Sequence, residues 1–597
     1  MSNEVSVTEQ ETAAQQETAE AVSAAAAEAP DNHEAAAEGL ETETPAADED
    51  DFEWKDLINI VLNFLSKWGW ALLLAFSVLL IGYFTLFPSR TEFHSDSTDT
   101  LMWAVASRDS GKLFNTDFHY ACLLPFGTSM IMYALIPLFG VSMTTHVLGM
   151  LIFFLLFTAA LIWMLREMKW SWGWISGAVF VELMICSGSE KLREIYWGHT
   201  IYYSLAVLFQ FVGLAILFRC LDSYKKLDSA KTEETQKYSR IALYVMMGLL
   251  GLWFTLTGMN QIITIATFSL PMIGALFCER WLDHSTELHS QKNLRALTLI
   301  GIMAGGMVLG FLITKGAAKD IVAGYEGAFS NYDTMDSWVE HIDGFGKAWM
   351  TLLGVDMRDG EKLMSAKSIG WLLTFFTGII LLAVPVIALF CYNKMKDRKL
   401  RLLVLSYWLM TLLIMVGYIL GKLSSANWRL APIVGMSAVV TFAFFKWAAG
   451  EVKWQRLISL LMIPVFLVCT ITSFTILKMK PDNTGENHLY RIARGLEAQG
   501  LTYGFATFWN ANGATVAADS KVQLRNVTIE EGRCYPYRYQ TLDKWYDAQP
   551  GQDRYFILMD AGERDMLAGS VLDECKVGET TVEGYQVWIY TEVPPFN

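Results

Sequence analysis

The chain has 597 residues, 53% of them hydrophobic and 18% charged, with a formal charge of -15. Its apolar residues come in blocks of about twenty, the length that crosses a hydrocarbon core, which excludes a soluble globular domain as the main body. Sixteen of the acids lie in residues 1–53, which hold no Lys or Arg, so the remainder is close to neutral and a basic nucleic-acid footprint is excluded.

Residues 1–53 are otherwise mainly Ala, Thr and Gln, cannot bury a core, and are expected to form a disordered acidic cytoplasmic tail. Apolar blocks follow at 68–87, 121–140, 143–165, 172–187, 200–221, 241–258, 261–280, 296–313, 369–392, 402–421, 430–447 and 455–477. The first sits behind an acidic leader with no cleavage site, so it reads as a retained signal anchor. Were all twelve to span, the basic connectors around Lys225, Lys226 and Lys237, and around Lys394, Lys396, Arg398 and Lys399, would lie outside, against the positive-inside rule. The block at 121–140, which holds Pro125 and Pro137, is the one to exclude, as a helix or re-entrant piece of an outer loop.

The expected fold is therefore an α-helical polytopic membrane protein with about eleven transmembrane helices in 54–477 and a small extracytoplasmic α/β or α+β domain in 478–597. In that C-terminal part a helix is predicted over 486–499, with strands at 503–509, 521–527, 555–559 and 586–591. Cys534 and Cys575 are its only cysteines and could pair outside the cell. Long outer loops fall at 88–142 and 314–368, where function is to be sought. The second mixes Asp320, Glu326, Asp333, Asp336, Glu340, His341 and Asp343 with Tyr325, Tyr332, Trp338, Phe345 and Trp349, which suits a helix resting on lipid headgroups better than a sugar site. No internal repeat of two halves is visible, which disfavours a transporter.

The first outer loop carries Glu92, His94, Asp96 and Asp99 just before a helical pattern of Leu101, Met102, Val105 and Ala106 that Gly111 stops. Two roles suit Asp96: capping that helix, or accepting a proton from a hydroxyl that attacks a sugar carbon, with Asp99 in reserve. The second outer segment offers Glu190 and Glu194 on one helical face, with Lys191, Arg193 and His199 beside them. Glu194 is a second catalytic candidate or one member of a solvated charge cluster. Arg193, His199 and Arg429 lie near the outer interface, where Arg429 is suited to snorkel. Within the spans Glu182, Asn260 and Gln261 demand polar partners. His284 and His289 are five apart without Cys support and read as incidental. No metal-ligand spacing, phosphate-cradling loop, dinucleotide fingerprint or H-E-x-x-H is present, so no nucleotide cofactor is expected. A hard divalent cation stays open as a cofactor.

One long span, an outer loop with an early Asp, an amphipathic stretch ending Leu138-Phe139-Gly140, and a second span resemble the GT-C superfamily of membrane glycosyltransferases, nearest its protein-mannosyltransferase and aminoarabinose-transferase branch. Trp197-Gly198-His199-Thr200, Asn427-Trp428-Arg429-Leu430-Ala431-Pro432 and Tyr503-Gly504-Phe505-Ala506-Thr507-Phe508-Trp509-Asn510-Ala511 extend the resemblance, which covers the architecture from about Trp68 to the end. The chain departs from many relatives in having His-Ser-Asp-Ser where they show Asp-Glu. The resemblance implies a polyprenyl-phosphate-linked sugar as donor, with His94, Arg193, His199 and Arg429 toward it. A cell-envelope glycan, lipid or protein would be the acceptor and Asp96 the base, with inversion at the anomeric carbon, in a multi-pass protein of the cell membrane. A flippase of envelope precursors and a non-catalytic scaffold are the competing classes.

Overall fold

A hydrocarbon core offers no hydrogen-bond partner to a backbone, so an apolar run can cross it only as a helix that satisfies its own N–H and C=O groups. The computed structural model describes residues 54–282, 290–321, 332–355, 364–421, 426–450 and 455–596. Among these, ten helices are long and apolar enough to cross a membrane, from Leu57–Arg90 through Met143–Glu167 and Tyr202–Ser229 to Gln455–Lys478. The acidic tail of 1–53, Tyr325 and Glu326 of the second outer loop, and His284 and His289 lie outside the described residues.

The first helix, α1, runs Trp54–Leu86; α2 is Asp99–Ser110, α3 Thr128–Phe139, α4 Met143–Glu167 and α5 Trp172–Ile185. The block at 121–140 yields only α3, whose 12 residues reach about 18 Å, well short of the ~30 Å core. The block at 172–187 yields α5, whose 14 residues reach about 21 Å, so the eleventh apolar element is a short one. It is buried almost all round and packs against the Ala431–Ala449 and Gln455–Lys478 helices.

Small residues allow close helix approach where hydrophobic association has no water to escape from. The Glu233–Gly258 and Gln291–Ala317 helices meet this way: a Cβ on Gly310 would stand 2.0 Å from the Thr255 carbonyl oxygen. Met335–Leu352, in the second outer loop, is amphipathic in three sectors: Trp349 and Leu352 are buried, Met335, Val339 and Ile342 stand exposed along one stripe, and the acids take another. That is the form expected of an interfacial helix.

The C-terminal part carries one six-stranded sheet, ordered β3-β2-β1-β4-β6-β5. The strands are β1 Tyr503–Thr507, β2 Gln523–Glu530, β3 Arg533–Pro536, β4 Tyr555–Met559, β5 Gly578–Val582 and β6 Tyr585–Tyr590. β1 is parallel to β2 and β4, and the outer pairs are antiparallel. β3 and β5, absent from the expectation, pair with β2 and β6 in hairpins whose turns hold Gly532 (φ 77) and Gly584 (φ 85). Cys534 is buried on β3, Cys575 is exposed, and both are free thiols.

This sheet domain is clasped onto the first outer loop. His119 N–H donates to the Thr541 carbonyl (3.0 Å) and Gln540 N–H to the His119 carbonyl (2.8 Å), around an isolated antiparallel bridge from Phe118 to Leu542. Ser520 Oγ donates to the Val141 carbonyl (2.6 Å), and Asp519 accepts from the Met143 N–H (3.0 Å) at the start of α4.

Candidate active site

After α1 the chain turns through Pro88–Arg90, runs extended at His94, and winds into a 3₁₀ turn, Ser95–Thr98, that leads straight into α2. The turn is fixed from the C-terminal domain. The Asn487 amide donates to the carbonyls of Arg90 (3.3 Å), Thr91 (3.1 Å) and Phe93 (2.7 Å), and Ser95 Oγ donates to the Trp509 carbonyl (2.9 Å). Gly111 (φ 64) ends α2 in the left-handed conformation its lack of a Cβ permits.

Neither the turn nor α2 has a side-chain cap, so Asp96 does not serve as one. It sits half-buried in the turn, and among the described residues its carboxylate takes part in no hydrogen bond or ion pair.

The opposing wall is 188–199. Ser189 caps a single helical turn, Glu190–Arg193, which widens into a π-helical turn, Glu194–Gly198. Two fully buried aromatics hold the wide turn: Trp197 Nε1 donates to Ser187 Oγ (2.8 Å) and Tyr196 Oη to the Ala431 carbonyl (2.8 Å). Gly435 makes room for Tyr196, since a Cβ there would stand 2.3 Å from the phenolic oxygen. Turns of this kind aim side chains that a regular helix would hide, and often mark functional sites.

On this wall and on the loop Glu92, Asp99 and Glu194 each have a partner, whereas the exposed Glu190 and the half-buried Asp96 have none among the described residues. Arg193 grips Glu92 with Nε (3.0 and 3.2 Å to the two oxygens) and Nη2, and its guanidinium lies over the Phe84 ring. Lys191 bonds Glu194, whose other oxygen faces His94 Nε2 at 3.3 Å. His199 Nε2 lies 3.3 Å from Asp99 Oδ2, both side chains under a tenth exposed.

Burial of Glu194 opposes its charge, but His94 and Lys191 outweigh that and hold it down at about 2. Burial pushes the Asp99 carboxyl up, partly offset by His199 and by the amide of Gln540. For His199, burial favours the neutral ring, yet the Asp99 carboxylate prevails and raises it. The pair therefore keeps a proton to higher pH than either group would alone, and Asp96 adds to both shifts.

The candidates predicted from sequence thus fall into one cleft, with Arg429 at its margin. Arg429 bonds the Tyr202 hydroxyl and lies 5.6–5.7 Å from the centres of the Tyr202 and Tyr203 rings, beside an apolar groove that includes Ile263 and Pro432. The neighbouring Trp428 ring sits 5.1 Å from Lys191 Nζ, which links this margin to Glu194. Sequence reading missed His146 of α4, buried with its ring 5.0 Å from that of Phe93, because one His inside an apolar span carries no local signal. It missed Gln540, fully buried, whose Oε1 accepts from Trp103 Nε1 (2.8 Å), because that residue lies over 400 positions away. Among the described residues no group of three or more His, Cys, Asp or Glu side chains is gathered to hold a metal ion.

No family model and no curated protein matches the chain. Among solved structures it is similar to the crystal structure of ArnT from Cupriavidus metallidurans bound to undecaprenyl phosphate, with 11% identity, 87% of this chain and 98% of that chain covered, and a TM-score of 0.48.

Proposed function

We propose that this chain is a membrane glycosyltransferase that moves a sugar from a polyprenyl-phosphate-linked donor to a cell-envelope acceptor, with its N-terminal tail inside and residues 478–597 outside. The observation that carries the reading is the Asp96 carboxylate: half-buried, without a hydrogen bond or ion pair among the described residues, and next to two His–carboxylate pairs.

In this reading an acceptor hydroxyl gives its proton to Asp96 as its oxygen bonds the anomeric carbon from the face opposite the carrier. The bond from that carbon to the carrier phosphate breaks, the phosphate leaves with the electron pair, and the configuration inverts. Arg429, with the Tyr202 hydroxyl, stands beside an apolar groove suited to a prenyl chain, and there it meets the developing phosphate charge. His94 and His199, each backed by a carboxylate, donate to sugar or phosphate oxygens. Glu194 and Asp99 orient them, and Arg193, engaged by Glu92, fixes the wall.

The test is transfer from a panel of radiolabelled polyprenyl-phosphate sugars by purified protein in lipid, wild type against Asp96→Asn and Asp99→Asn. Transfer that disappears with Asp96→Asn in a folded protein supports the reading, and loss only with Asp99→Asn moves the base by one turn. No transfer from any donor, with both variants supporting normal growth, overturns it.

A further inference from the structure

One cavity beside the first outer loop is not part of the acid cleft. It lies between α2 and α3 and encloses about 330 Å³. That is the size of a small-molecule site, and such sites are mostly apolar with a few polar groups. Its wall is aromatic and aliphatic, with Trp103, Phe114, Tyr120 and Leu124 buried. The polar exceptions include Ser107, Ser129 and, at the rim, the exposed Lys112.

Two further features say what reaches it. First, α3 has no charged residue, and its exposed side is an unbroken apolar stripe of Met130, Tyr133, Ala134, Pro137, Leu138 and Phe139. Met130 and Tyr133 belong both to that stripe and to the cavity wall, so the mouth opens where the helix itself must face lipid. Second, the mouth is cationic. Arg108 lies 5.0 Å over the Tyr133 ring, with Nη1 donating to the Tyr133 carbonyl (3.3 Å), and Lys112 stands exposed a turn away. The nearest acid, Asp109, is engaged by Lys544 and by the Asn115 amide (3.1 Å), so it does not cancel this charge.

We propose that this cavity takes one acyl chain of an anionic glycerophospholipid, whose phosphate rests on Arg108 and Lys112. An apolar slot entered from the bilayer fits a hydrocarbon chain, and a basic rim at headgroup depth selects a negative headgroup over a zwitterionic one. One hydrogen bond leads from the cavity wall into the C-terminal domain: Trp103 donates to Gln540 (2.8 Å).

The proposal is independent of the transfer reading, because its readout is lipid retention. The purified full chain is exchanged into detergent with phosphatidylglycerol or phosphatidylcholine, and retained lipid is measured by native mass spectrometry. Wild type is expected to retain phosphatidylglycerol selectively. Ser129→Phe, which fills the slot, should abolish retention. Arg108→Glu with Lys112→Glu, both on the surface and safe for folding, should remove the selectivity several-fold. Equal retention of the two lipids by wild type, or unchanged retention in the paired Glu variant, overturns the proposal. So does displacement of phosphatidylglycerol by undecaprenyl phosphate, which would make the slot part of the donor's groove.

Discussion

The two ends of the helical bundle treat charge in opposite ways. At the end away from the cleft, Glu279 is wholly buried between Arg398 (2.9 Å) and Arg401 (3.0 Å). Glu167 pairs with Arg219 (3.2 Å), and Asp222 with Lys399 (2.6 Å), whose ammonium also donates to the Glu167 carbonyl. These acids close the ends of α4, Tyr202–Ser229 and the helix Arg398–Ile419, and each is satisfied. At the cleft end Glu92, Asp99 and Glu194 are paired likewise, but Asp96 is left over. Saturated pairs resist change because removing one member strands a buried charge. A carboxylate kept open beside them can be changed at little cost to the fold.

The sharpest break of that comparison is Asp96→Asn against Glu279→Leu. The first should lower transfer by roughly 10²–10⁴-fold with an unchanged unfolding midpoint, as loss of a general base does. The second should leave two guanidinium groups facing an apolar side chain and destabilise by roughly 3–5 kcal/mol in a thermal unfolding assay in detergent. Should Asp96→Asn melt early with transfer intact, the two ends would differ in nothing that matters.

Glu194 sharpens the contrast through pH. Its carboxyl is held at about 2, below the ordinary 4.5, so its pairing stabilises the fold above pH 4.5 and that contribution is lost as pH falls toward 2. Wild-type stability should fall over this window by up to roughly 3 kcal/mol from this group. Glu194→Gln should begin lower at neutral pH and lack that part of the slope. Parallel curves for the two proteins would remove Glu194 from the cleft's ion pairs.

The smallest effect is expected at Gln540. Gln540→Ala takes the acceptor from Trp103 and the amide from Asp99, a loss of roughly 1–3 kcal/mol for a buried hydrogen-bonding group. Because Asp99 then loses a group that favours its charged form, the pH dependence of transfer should move upward. A stability loss with an unmoved pH profile would confine Gln540 to packing.

Apolar run length announced the membrane helices, and Pro125 and Pro137 marked the block that yields only the short α3. The acid cluster was visible because Glu92, Asp96 and Asp99 crowd the few residues before α2. Pairing was not. That Arg193 reaches Glu92 about a hundred residues earlier, and His199 reaches Asp99, depends on how two distant segments pack, which no local pattern encodes. The strands β1, β2 and β4 stood out as apolar runs, whereas β3 and β5 are short and partly exposed. Neither the clasp by Asn487 nor the reach of Gln540 could be read from residues that touch only after folding.

That clasp bears on how the protein is made. Residues 88–99 are held by Asn487 and Trp509, groups that leave the ribosome almost four hundred residues or more after Asp96. While the chain is still being synthesised, the turn that carries Asp96 lacks its supports. Under the proposed transfer, a half-built copy in the bilayer would hold its base in an unsupported turn, and competence would arrive only with the C-terminal segment.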